Sequence, residues 1–172
     1  MSPALMNNKN LERGVSTTEI LIVAFIISIA LVSLSGLAAF SLKNSASIKD
    51  ITAANKLAEE TIEAVRSFRD ATTWDSDGLG VITLGDIHPH YPNLAGGPLP
   101  AWTLPEGTET LGSFERKVVF EEVSRDLATK NIEPVYNSSH DDPDTRKATV
   151  TIYWGDSGSK VASIVAYLTN WK

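Results

Sequence analysis

The stretch that decides the fold is GVSTTEILIVAFIISIALVSLSGLAAFSL, residues 14–42. Residues 20–42 carry no charged side chain, and about 20 apolar residues suffice for a helix to cross a bilayer core. A conventional signal peptide has a shorter apolar core, roughly 7–15 residues, before small residues at its cleavage site. Gly36-Leu37-Ala38-Ala39 offers such small residues, but the run here is longer. Its unusual member is Glu19, a carboxylate at the mouth of the apolar segment. A charge deep in a membrane costs on the order of 2.5–3.5 kcal/mol, so it usually marks function or a partner. A desolvated carboxylate needs a proton or a cation as its partner.

Gly14, Val15 and Glu19 in this spacing resemble the precursors of type IV pilins and pseudopilins, which carry a polar leader ending in Gly and a Glu at the fifth mature position. The resemblance implies that residues 1–14 are a leader, that a prepilin peptidase cuts between Gly14 and Val15, and that the new Val15 amine is methylated. It implies that Glu19 pairs with the amino terminus of a neighbouring subunit during filament assembly. The partners so implied are the peptidase, other pilin subunits and an inner-membrane assembly platform. The location implied is the cytoplasmic membrane with the globular part outside, then an extracellular or periplasmic filament. Val15 stands where Phe or Met is usual, and Thr17-Thr18 replace the commoner Leu-Ile or Leu-Val. The Gly and Glu keep their spacing.

Outward from this stretch, the helical pattern continues. Ile48, Ile51, Ala54, Leu57, Ala58, Ile62, Val65 and Phe68 recur at three- and four-residue steps, an amphipathic face. Pairs such as Lys56 with Glu60 support the exposed side. No proline falls between Pro3 and Pro89, so one helix from about residue 17 to residue 71 is expected, about 80 Å long at 1.5 Å per residue. Ser28, Ser33, Ser35 and Gly36 are small residues that permit close helix approach in a membrane. They are equally read as residues merely tolerated in a spanning helix.

Residues 73–113 lose periodicity and gather Gly and Pro, so they read as an irregular loop region. Trp74, Tyr91 and Trp102 suggest anchored parts. Residues 114–123 read as a strand. Residues 124–146 read as polar and turn-rich. Ala148, Val150, Ile152 and Trp154 alternate with Thr149, Thr151 and Tyr153, a strand with one buried face. Residues 161–168 return as its partner. The expected fold class is α+β, a pilin-like helix with a membrane-spanning first half (15–42) and an amphipathic second half (43–72). A small antiparallel sheet (114–172) packs against it.

The net charge is −6, and an acidic chain lacks the basic footprint of a nucleic-acid binder, so no nucleic acid is expected. The absence of cysteine excludes disulfides and thiolate chemistry. Positive-inside counting does not orient the helix: Lys9 and Arg13 precede it, and Lys43, Lys49 and Lys56 follow.

Other motifs carry bland readings. Gly155-Asp156-Ser157-Gly158 matches a serine-protease tetrapeptide, but it sits at hairpin spacing between strands, where Gly and Asp are turn residues. Asp75 and Asp77 begin a calcium-like loop without its remaining ligands, and Asp141, Asp142 and Asp144 form a second acidic turn. Calcium is thus a weak candidate at these five residues, and a solvated turn is the expectation. His88 and His90 flank Pro89 without a third ligand. No cofactor and no enzymatic activity are expected. The reading is a minor type IV pilin or pseudopilin. Its rival is a single-pass membrane-anchored binding module that does not polymerise.

Overall fold

The computed structural model describes residues 16–97 and 100–171. The chain is α+β: one long helix, α1 (Thr17–Ala71), is followed by short strands and an antiparallel sheet. Two compact units are present, Met1–Ser47 and Ile48–Lys172.

In the first unit the described helix is apolar on every side, and Ile20, Phe25, Ile29, Leu34, Leu37 and Phe40 are all exposed. A helix that is hydrophobic all round belongs in lipid or in a bundle. By length and composition it suffices to cross a membrane. Three of its serines are satisfied within the helix. The Ser28, Ser33 and Ser35 hydroxyls donate to the carbonyls of Ala24, Ile29 and Leu31 at 2.7, 2.9 and 2.9 Å. An apolar environment therefore does not leave these hydroxyls unpaired.

The second unit has its own core. Ala54, Ala58, Ile62 and Val65 of α1 are buried and cluster with Val118, Phe120, Ala148, Val150 and Ile152. Thr61 is also fully buried, its hydroxyl donating to the Leu57 carbonyl at 2.6 Å. The helix stops where Thr72 bonds Phe68 twice, through its amide and its hydroxyl.

The strands are β1 (Asn93–Ala95), β2 (Ala101–Thr103), β3 (Glu109–Leu111), β4 (Phe114–Ser124), β5 (Asp141–Trp154) and β6 (Lys160–Thr169). β1 and β2 form a separate pair, and the main sheet runs β3-β4-β5-β6, antiparallel throughout. Val118 and Phe120 of β4 and Ala148, Val150 and Ile152 of β5, all even-numbered, share the face of the core, as the period of two requires. The loop expected over 73–113 therefore contains three short strands, and β3 supplies the fourth member of the sheet. Three residues are too few to show alternation.

The turn-rich reading of 124–146 is corrected at its end: β5 begins at Asp141. Its polar first half pairs with β4 (Glu122 with Arg146, Ser124 with Asp141) across an irregularity between Glu122 and Ser124. The charges are met locally. Arg125 donates to Asp142 at 2.5 Å and to the buried Thr145 hydroxyl at 3.2 Å. The turn from β5 to β6 places Gly155, Ser157 and Gly158 at φ of 80°, 53° and 71°.

Candidate functional site at the mouth of the apolar helix

The site suggested by the sequence is the start of α1. Gly14 and Val15 lie outside the described residues. From Ser16 onward the chain is placed to begin a helix. The Ser16 carbonyl accepts the amides of Glu19 and Ile20 at 2.9 and 3.2 Å, and the Ser16 and Thr18 hydroxyls lie 2.8 Å apart. Polar residues that satisfy one another let a helix start beside an apolar run. Glu19 falls in the first turn, where unpaired amides favour a carboxylate. It is exposed, and among the described residues none of the salt bridges engages it. The four apolar residues that follow it, Ile20 to Val23, are exposed as well. A carboxylate beside such a surface loses hydration when that surface is covered, and the cover must then supply a cation or a proton.

Four of the five acidic residues considered for calcium hold hydrogen bonds or an ion pair within the chain. The indole N–H of Trp74 donates to the Pro143 carbonyl at 3.1 Å, so the two acidic segments are neighbours. Yet Asp77 accepts the Thr73 amide at 2.7 Å, Asp141 accepts the Tyr136 hydroxyl at 3.2 Å, and Asp144 accepts the Asn170 side-chain amide at 3.2 Å. For Asp142, burial pushes the carboxyl pKa up, and the hydrogen bonds of Arg125 and Thr145 with the Arg125 charge outweigh it, leaving the pKa lowered. Asp75 is exposed. Among the described residues no three His, Asp or Glu side chains converge as a metal site. Because β5 starts at Asp141, the second cluster is a strand end carrying an ion pair and not the turn expected, with Asp141 and Asp144 exposed to solvent.

Burial, followed by the hydroxyl contacts and charges of Glu122 and Asp141, pushes the Tyr136 phenol up to about 12. The Glu133 carboxyl is held below its usual range by hydrogen bonds with Ser124 and His140, and His140 Nδ1 lies 2.9 Å from Glu133 Oε1. These contacts close the segment between β4 and β5.

The two loop histidines differ. His88 Nδ1 meets Glu106 Oε1 at 2.7 Å. His90 is 3% exposed, exchanges two 2.7 Å backbone bonds with Val118, and sets its ring edge-on to Phe120 with centroids 5.6 Å apart. Its Nδ1 is buried without a partner. Both fall in the loop region that the sequence predicts over residues 73–113. Nothing in His88-Pro89-His90 distinguishes the one that enters the core. Ser157 sits in the tight β5–β6 turn.

Comparison of the chain with protein-family models, with curated proteins and with solved structures gives no significant match.

Proposed function

We propose that this chain is a type IV pilin-like subunit, a minor pilin or pseudopilin, anchored by α1 in the cytoplasmic membrane and then incorporated into a filament. The observation that carries the reading is one juxtaposition. Gly14 and Glu19 keep the prepilin spacing immediately before a charge-free run, and that run enters the uninterrupted helix Thr17–Ala71. In the proposed mechanism a prepilin peptidase cuts after Gly14 and Val15 gains an N-methyl group. Removing residues 1–14 leaves a cationic amine four residues before Glu19. When apolar helices bundle, Glu19 of one subunit loses water and is compensated by the amine of the next, which sets the register between them. The apolar surface of residues 20–42 offers van der Waals packing between helices, and Ser28, Ser33 and Ser35, bonded within their own helix, let the helices approach without leaving those hydroxyls unpaired.

The decisive experiment determines the amino terminus of the protein from cells with and without a prepilin peptidase. The expected result is N-methyl-Val15 only where the peptidase is present. An intact Gly14–Val15 bond in both strains would leave the non-polymerising membrane-anchored module as the reading. A cut near Ala38 in both would mean a secretory signal.

A further inference from the structure

We infer that β6 is a pairing edge, and that two copies of this chain join through it, β6 to β6, into one continuous eight-stranded sheet.

The phase of the ladder follows from register and bonding. Asn170 N–H donates to the Asp144 carbonyl at 2.7 Å, one step beyond the Thr145–Thr169 pair. Hydrogen-bonded and non-bonded pairs alternate in an antiparallel ladder. The even residues of β6 therefore bond β5, and Val161, Ser163, Val165, Tyr167 and Thr169 turn their N–H and C=O groups away from the sheet. The two-way bonds between His90 and Val118 on the far side of β4 give the same phase. Among the described residues no backbone group pairs with this outer edge of β6.

Proteins usually protect such an edge with a short strand, an inward charge, a proline or a bulge. The opposite edge of this sheet is protected: β3 has three residues and carries Glu109, which is paired with Arg116. By contrast β6 has ten residues in unbroken register with β5, and no charged residue or proline lies between Lys160 and Lys172. Val161, Val165 and Tyr167 are exposed along it.

The occupant follows from the strand's own pattern. An antiparallel copy that uses all five outward residues must centre on Val165. Val165 then faces Val165 of the copy, Ser163 faces Tyr167, and Val161 faces Thr169. Lys160 falls opposite Asn170, so no like charges meet, although the chain as a whole is acidic. A two-fold contact of this kind is self-complementary and closed. It is a state of the membrane-inserted chain, apart from any growing filament, and it does not depend on the pilin reading. Helices that confine copies to one bilayer raise the concentration at which the edges meet.

Because the chain has no cysteine, single cysteines report the contact directly. The full-length chain is reconstituted in nanodiscs large enough for several copies and oxidised mildly. Val165→Cys is expected to form a covalent dimer in most molecules, and Leu127→Cys, exposed and off the sheet, to form at least tenfold less. Val165→Lys places two ammonium groups across the axis and should convert a wild-type dimer in detergent to monomer, with an unchanged circular dichroism spectrum. Equal cross-linking at residues 127 and 165, none at 165, or a wild-type chain that stays monomeric would overturn the inference. Because none of these readouts involves the peptidase, their failure is distinct from failure of the proposed processing.

Discussion

The indole N–H of Trp74 donates to the carbonyl of Pro143 at 3.1 Å, across 69 residues of sequence. That bond ties the turn after α1 to the first half of β5, the polar half that carries Asp141, Asp142 and Asp144. Arg146 stacks its guanidinium 6.0 Å from the same ring and donates to the Gly80 carbonyl at 3.2 Å. Gly80 is held against the indole so closely that a Cβ there would lie 2.6 Å from the Trp74 carbonyl oxygen.

Two substitutions probe this junction. Trp74→Phe keeps an aromatic ring and loses the hydrogen bond to the Pro143 carbonyl, at a cost of about 1 kcal/mol. Gly80→Ala forces the backbone apart and should cost about 1–3 kcal/mol. Thermal unfolding of the full chain in detergent, followed by tryptophan fluorescence, ranks them. A Gly80→Ala protein as stable as wild type would contradict the close approach.

Arg116 makes a second, buried junction. It is 5% exposed, donates to Glu109 at 2.5 Å and to the Pro92 carbonyl at 3.1 Å, and stands 3.7 Å from Glu60 of α1. Removing Glu109 leaves the buried guanidinium with only the longer contact to Glu60 and the Pro92 carbonyl, whereas replacing Arg116 by Met leaves partly exposed carboxylates that water can reach. Glu109→Ala should therefore cost more than Arg116→Met, about 3 kcal/mol against about 1, because a buried charge deprived of its near partner is the expensive outcome. Chemical denaturation midpoints of the two variants give the order, and the reverse order would refute the argument.

His90 makes stability depend on pH in a defined direction. Burial lowers its pKa below the ordinary 6.5; the Glu106 charge and the His88 backbone oppose this, and the His88 side chain adds to it. The unfolded chain binds a proton near 6.5 that the folded chain resists, so stability is fully present above about pH 6.5. It declines as pH falls through the window below that value and levels off once His90 protonates in the folded state. His90→Phe keeps a ring against Phe120 and should flatten that part of the profile. Unfolding midpoints between pH 7.5 and pH 5 test it, and an unchanged slope in the variant would assign the effect elsewhere.

Glu19→Ala removes the carboxylate without touching residues 14 and 15. Processing should persist, and incorporation into filaments should fall at least tenfold, read by immunoblotting of sheared filaments against membranes. Wild-type incorporation would end the pairing model for Glu19.

Much of this architecture was legible in the chain. The charge-free run and the three- and four-residue spacing from Ala54 to Phe68 state the helix and its inward face, because helical period is a local property; Ile48 and Ile51, read into the same face, are exposed. Alternation from Ala148 to Trp154 likewise states a half-buried strand. Gly14 and Glu19 can be read only as a motif. Other features were not legible because they depend on partners distant in sequence. β3 is too short to show a period. The Asp141–Arg146 half of β5 looks like a turn until Arg125, Thr145 and the end of β4 satisfy it. His90 enters the core only because its backbone pairs with Val118, and the free edge of β6 exists only because the sheet ends there. Sequence by itself determined the elements whose hydrogen bonds and apolar stripes close within one segment. Tertiary structure decided which polar groups are buried and which strand edge stays open, since both depend on what the rest of the chain brings alongside.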